Sequence, residues 1–278
     1  EVLKFLLPDA IHKLHWQKSM RWGRGSFRWV RPLERVMCVL DGELLPFELG
    51  GEIQSCSVTT GHRFLGAEPF EVGFFDDYEK TLRDKHVVLN GEIRTKLIEE
   101  AAAALAEADG FFLKRDSGLL EEVAGLVEWP VPLIGKIDPE FMKLPDEVLT
   151  TSMRSHQKYF SVVDSDGKLA PRFVVVSNMQ APDGGKVIVA GNERVLRARL
   201  ADAKFFWDQD RTEKLENRVP TLSQMVFHEK LGNLEQKVRR IEGLSSSVAD
   251  ILNADKEQTE RAAYLCKADL MTGMVGEF

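Results

Sequence analysis

The spacing of apolar residues changes along the chain. Up to about residue 180, short runs with strand-like alternation are interspersed with helical stretches; beyond it, apolar positions recur three and four apart almost throughout. "AIHKLHWQKSM" predicts a short helix over Ala10–Met20, ending near Gly23. "LERVMCVL" and "LLPFEL" read as strands flanking Asp41-Gly42, a dipeptide that accepts the positive φ angles of a tight hairpin turn. "IQSCSVTT" is a third candidate strand, running into Gly61-His62-Arg63-Phe64. "DDYEKTLRDK", "EIRTKLIEEAAAALAEAD" and "LLEEVAGLVEW" then read as helices, the second closed by Gly110 and the third stopped by Pro130. "VPLIGKI" is a short apolar strand. "PDEVLTTSMRSHQ" opens as a helix, with Pro145 and two acids suited to its first turn. "KYFSVVD" and "RFVVVSNM" predict a hairpin about Asp164-Ser165-Asp166-Gly167. The expected fold class is α+β: a mixed or antiparallel sheet domain with helices over 1–180, then an all-helical segment over 181–278.

One predicted helix raises a question of chemistry. "GNERVLRARLADAKFFWDQD", residues 191–210, places Leu196, Leu200, Ala203 and Trp207 on one face when wound at about 100° per residue. Arg194, Arg197 and Lys204 gather on a flank, and Phe205 points nearly opposite the apolar face. An ordinary surface helix with solvated charges accounts for this pattern. So does a ridge that pairs guanidinium groups with phosphates and offers an aromatic ring for stacking.

Composition narrows the choice without making it. The chain has 278 residues, 44% hydrophobic and 29% charged, enough to bury a sizeable core. It contains no run of about 18 apolar residues, so no transmembrane helix is expected. No signal-peptide pattern opens it. Cys38, Cys56 and Cys266 are odd in number, with no C-x-x-C pair, which fits a reducing cytoplasm rather than a disulfide framework or zinc ribbon. The missing initiator Met and the apolar-periodic end "CKADLMTGMVGEF" suggest a fragment of a longer protein. Net charge is −7, yet a local patch sets the field that a phosphate meets. Residues 1–31 form such a patch: Lys4, Lys13, Lys18, Arg21, Arg24, Arg28 and Arg31 face only Glu1 and Asp9. Trp16, Trp22 and Trp29 lie among them, and packing in a core or interface is the simpler role for each.

The familiar catalytic signatures are absent. "WGRGSF" lacks the third glycine and preceding strand of a dinucleotide fingerprint, and "PDGGK" lacks the spacing of a phosphate loop. There is no G-x-S-x-G, no H-E-x-x-H, no cysteine–histidine cluster, and no ATP-binding signature of either synthetase class. Asp164, Asp166 and Gly167 resemble the start of a calcium loop but lack its closing Glu. Among six histidines, His62 beside Arg63, between Gly61 and Gly66, is the most site-like; a tight bend needing glycine explains it as well. His156 and Lys158 are expected to alternate with Phe160 on one strand face, either facing RNA or emerging into water.

Seven stretches, in order, resemble one family, the beta subunit of bacterial heterotetrameric glycyl-tRNA synthetase. They are "KSMRWG", "TGHRFLG", "LLEEVAGLVEWPVPL", "SHQKYF", "GNERVLRARLADAKFFWDQD", "HEKLGNLEQKVRRI" and "KADLMTGMVGEF". The resemblance implies a non-catalytic tRNA-binding and assembly part of glycine–tRNA ligase, in the cytoplasm. ATP-dependent glycylation of tRNA(Gly) would occur on a separate alpha subunit within a heterotetramer. It implies no cofactor and no catalytic residue in this stretch. The 1–180 segment would be similar to the tRNA-side domain of the phenylalanyl-tRNA synthetase beta subunit. The 181–278 segment would open a degenerate HD-type helical domain. A working HD site needs histidines converging with carboxylates on metal. After His228 the corresponding stretch reads Lys267-Ala268-Asp269 with no further histidine, so neither metal nor phosphohydrolase activity is expected. Candidate tRNA contacts are Arg21, Arg24, Arg28, Arg63, His156, Lys158, Arg194, Arg197 and Lys204. Two other roles stay open: hydrolytic editing of mischarged tRNA near His62, Arg63 and His156, and a pure subunit scaffold.

Overall fold

The computed structural model describes residues 2–277. It is a mixed α+β structure that divides into two compact units, each assembled from separated stretches of chain. The first comprises Glu1–Ala104, Asp116–Leu133 and Val176–Gly185; the second comprises Leu105–Arg115, Ile134–Val175 and Lys186–Phe278. These units are not the same objects as the linear segments 1–180 and 181–278.

The first unit begins with helix α1, Val2–Lys13, whose side chains are all at least partly exposed. This corrects the helix expected over Ala10–Met20. The helix runs earlier, through Pro8, and Met20–Arg21 instead forms a strand paired antiparallel with Arg28–Trp29. Tertiary packing outweighs local propensity here: the Trp16 ring lies edge-on to Trp29 at 4.8 Å, which requires the chain to turn back. The Asp41-Gly42 turn forms as the dipeptide predicts. Val39–Leu40 pairs with Glu43–Leu44, and the turn residues adopt φ of 53° and 84°. The third predicted strand divides into Ile53–Cys56, flanked by Val36–Met37 and Glu48–Leu49, and Val58–Thr60, paired with Pro69–Glu71. Helices α2 (Phe75–Asp84), α3 (Gly91–Ala108) and α4 (Ser117–Leu126) follow their periodic patterns. On α3, Ile98 and Ala102 stand one turn apart and fully buried, so small residues let neighbouring elements approach closely. Asp116 caps α4 by accepting from the Leu119 N–H at 2.9 Å.

The second unit holds most of a four-stranded sheet in the order Phe112–Leu113, Phe160–Val163, Leu169–Ser177, Val131–Lys136. The predicted hairpin is its middle pair, with Phe160 opposite Val174 and a register shift before Val163 meets Leu169. Phe173 is fully buried and stacks on Tyr159 at 4.7 Å. A Cβ at Gly135 would come within 2.5 Å of the Phe173 Cζ, so only glycine lets that ring lie across the strand. Helix α5, Asp146–Thr151, continues into a π-helical turn, Ser152–Gln157. Beyond it come α6 (Lys186–Asp210), α7 (Leu234–Leu252), α8 (Lys256–Leu265) and the short α9 (Gly273–Glu277). Val219, Leu222, Val238 and Ala268 form a buried cluster among these helices.

Candidate nucleic-acid interface

Helix α6 shows how its signature stretch divides its labour. Leu196, Leu200 and Ala203 are buried, as the pattern predicts, while Trp207 is half-buried and Phe205 is 61% exposed. The polar residues between them are largely committed internally. Asn192 accepts from the Tyr159 hydroxyl at 2.6 Å and donates to the Ile188 carbonyl at 2.7 Å. Glu193 accepts from the Lys136 N–H at 2.9 Å. Arg197 donates to both Asp138 oxygens, at 2.6 and 3.3 Å. That hydrogen bond holds the Asp138 carboxyl below its ordinary value and raises the Arg197 guanidinium. Lys204 pairs with Asp208 one turn on. Arg194 is exposed and makes no ion pair among the described residues. Of the three flank cations, two therefore have carboxylate partners, through solvent-screened pairs.

The hairpin over Met20–Trp29 is a different arrangement. Arg21 stands directly across the ladder from Arg28. Like charges at that position repel. Arg28 turns its guanidinium back to Ser19, donating to the hydroxyl at 3.1 Å and the carbonyl at 3.0 Å. Arg21 and Arg24 remain exposed without an ion pair among the described residues. Beneath them the rings pack on one another: Phe27 stacks on Trp29 at 5.9 Å, and Trp22 meets Phe27 edge-on at 5.8 Å. The three tryptophans are half-buried, so they form a platform that holds the basic hairpin. An acid close to its tip is Glu52, whose carboxylate lies where Cβ atoms at Gly23 and Gly25 would meet it at 3.0 and 3.3 Å.

The "TGHRFLG" stretch is a locked loop. His62 is 1% exposed. Its Nε2–H donates to the Asn178 carbonyl at 2.6 Å, and its Nδ1 accepts from the N–H groups of Phe64 and Leu65, each at 3.2 Å. Both ring nitrogens are occupied, so the imidazole has no lone pair left for base chemistry. The Asn178 amide oxygen in turn accepts from the Glu128 and Trp129 N–H groups at 2.7 and 3.0 Å. Gly61 N–H donates to the Gly66 carbonyl at 3.1 Å and Gly66 N–H to the His62 carbonyl at 2.8 Å. A Cβ at Gly66 would stand 2.8 Å from the Lys85 Cβ. The result lifts Arg63 and Phe64 into solvent, with Phe64 71% exposed and the Arg63 guanidinium 5.8 Å from its ring centroid. Sequence reading picked out Arg63 and passed over Phe64; its place between two obligatory glycines was the available signal.

His156 and Lys158 do not alternate on a strand face with Phe160. His156 lies in the π-helical turn, Lys158 caps it with φ of 60°, and the strand starts only at Phe160. Side chains alternate between faces only in extended backbone, and these two residues lie in a helical turn and its left-handed cap. His228 sits on an exposed short strand, its Nδ1 accepting from the Lys230 N–H at 3.1 Å, and Ala268 belongs to the buried helical cluster. Among the described residues no three His, Cys, Asp or Glu side chains group to hold a metal ion, and no helix is long and apolar enough to cross a membrane.

Comparison with known proteins places the chain in the class of aminoacyl-tRNA synthetase subunits, since a family model described as "Glycyl-tRNA synthetase beta subunit" matches residues 1–278. The chain belongs to the glycyl-tRNA synthetase beta subunit family. Three curated relatives named "Glycine--tRNA ligase beta subunit" align with all of it. They come from Rhodospirillum centenum at 51% identity, Phenylobacterium zucineum at 47% and Geobacter sulfurreducens at 45%. The chain spans 43%, 42% and 40% of their respective lengths.

Proposed function

We propose that this chain is a tRNA-gripping and assembly part of glycine–tRNA ligase, supporting glycylation of tRNA(Gly) carried out with ATP on an alpha subunit. The family supports a role in glycyl-tRNA synthesis. The observation that carries the tRNA-binding part is the Arg21–Arg28 cross-strand pair beside Arg24, which has no ion pair among the described residues. Such an arrangement is unfavourable alone and favourable against a polyanion, whose phosphates screen the repulsion and release counterions. The proposed contacts are Arg21, Arg24, Arg28, Arg63, His156, Lys158, Arg194, Arg197 and Lys204. Arg197 and Lys204 would have to exchange their carboxylate partners for phosphates. The likeness of 1–180 to the tRNA-side domain of phenylalanyl-tRNA synthetase beta, and of 181–278 to a degenerate HD-type domain, belongs to the same reading. So do the alpha-subunit partner, the heterotetramer and a cytoplasmic setting.

The test is binding of the chain to tRNA(Gly) and to an unrelated tRNA across a salt series, with and without alpha subunit. Arg21→Ala and Arg24→Ala should each weaken binding and reduce the logarithmic salt slope by about 1. Affinity for tRNA(Gly) no better than for heparin would reject the reading.

A further inference from the structure

The locked loop at residues 60–66 offers more than a cation. Its base is tied at several points: His62 is bonded at both ring nitrogens, its backbone N–H donates to the Lys85 carbonyl at 2.9 Å, and Gly61 and Gly66 are crossed by the backbone and Cβ of Lys85. The tied loop holds Phe64 out, 71% exposed, with a guanidinium 5.8 Å from its ring centroid. Presenting a large aromatic ring to water forgoes the burial that a side chain of this size ordinarily gains. A tied backbone, a ring 71% exposed and an adjacent positive charge suit a flat group joined to an anion.

We propose that Phe64 is a stacking platform for an unpaired nucleotide of the bound RNA, with Arg63 on the adjoining phosphate and His62 as the positioning residue that fixes both. The proposal rests on the tRNA-binding reading above and specifies which chemical feature of the RNA this loop receives. A base inside a helix has both faces covered by neighbours, so a single exposed ring selects nucleotides that are splayed out. Stacking is indifferent to base identity, because every base has a π face.

The test compares tRNA(Gly) with a fully paired RNA duplex on the intact chain. Phe64→Ala should weaken tRNA(Gly) binding by roughly 5- to 150-fold, the range for loss of one base–aromatic stack, and leave duplex binding unchanged. Its salt slope should match that of the parent protein, because no charge is lost, whereas Arg63→Ala should lower the slope by roughly 0.7 to 0.9. Phe64→Trp should retain affinity, and Phe64→Leu, which keeps apolar bulk without a π face, should not. His62→Gln should lose stacking-dependent affinity in the same ratio between the two RNAs. Unchanged tRNA(Gly) affinity in Phe64→Ala overturns the proposal, as does an equal loss on duplex. Loss of alpha-subunit binding with RNA binding intact also overturns it and assigns the ring to a protein contact. Absence of tRNA binding by the unsubstituted chain would instead reject the underlying function.

Discussion

Asp210 and Arg218 form an ion pair at 3.3 Å in which the side chains are only 13% and 14% exposed. The same carboxylate accepts from the N–H groups of Gly273 and Met274, at 3.0 and 2.9 Å, and so caps α9. The last residue of one family stretch thus ties down another stretch 63 residues away. Arg218 keeps Glu213 at 3.9 Å when Asp210 is removed, whereas the Gly273 and Met274 N–H groups lose their acceptor. Asp210→Ala should therefore lower unfolding free energy by about 1–3 kcal/mol. Urea denaturation measures this, and hydrogen exchange should show the Gly273 and Met274 amides exposed first. A loss within the range of an exposed pair, about 0–1 kcal/mol, would mean that the linkage is incidental.

His62 makes a comparable link inside the first unit. His62→Ala removes the acceptor of the Phe64 and Leu65 N–H groups and the donor to the Asn178 carbonyl, the contacts that hold the loop in place. Trypsin should then cut after Arg63 faster than in the parent protein, because the loop loses its anchor. Gly66→Ala should have a similar effect by a different route, since its Cβ would stand 2.9 Å from the Lys85 Cα. An unaltered cleavage rate in both variants would contradict the locked-loop description.

The Arg21–Arg28 neighbours predict opposite effects on stability and binding. Arg21→Glu converts a repulsive cross-strand pair into an attractive one and should raise stability by about 0.2–1 kcal/mol. The same change should weaken tRNA binding by more than Arg21→Ala does. Thermal melting and a filter-binding titration on the same preparations test the two halves. Weaker stability together with unchanged binding would remove the charge argument for the hairpin.

Asp138 gives the fold an acid-side sensitivity. Arg197 holds its carboxyl below the ordinary value, so the contribution is present above the unfolded-state value of about 3.9 and fades as pH falls through the lower folded value. Arg197→Met should remove this component and flatten the melting temperature over that acidic range, relative to the parent. An identical acid profile in the variant would show that other carboxylates account for it.

Tyr159 acts at the alkaline end. Burial pushes its phenol up to about 12, while the hydroxyl donates to Asn192. Its neutral form is favoured by folding, so stability falls as pH rises from about 10, the unfolded value, towards 12. Ultraviolet titration should show one tyrosine ionising after the others. Tyr159→Phe should cost about 1 kcal/mol at neutral pH and abolish the late ionisation.

The local layer of this protein is legible in its sequence. Helices α2, α3 and α4 follow a 3.6-residue apolar period, and the Asp41-Gly42 turn follows from backbone freedom that those two residue types possess. The buried face of α6 also reads correctly, because burial there depends on spacing within one element. The family resemblance, carried by ordered short stretches, is legible for the same reason. Tertiary structure decided the rest. It turned the Met20–Arg21 segment from helix to strand through Trp16 and Trp29, and interposed a π turn ahead of Phe160. It also committed Arg197 to a carboxylate 59 residues away. The Arg197 pair depends on a partner remote in the chain. Residue spacing reports which face a side chain shares with its near neighbours, and only folding selects the distant group that meets it.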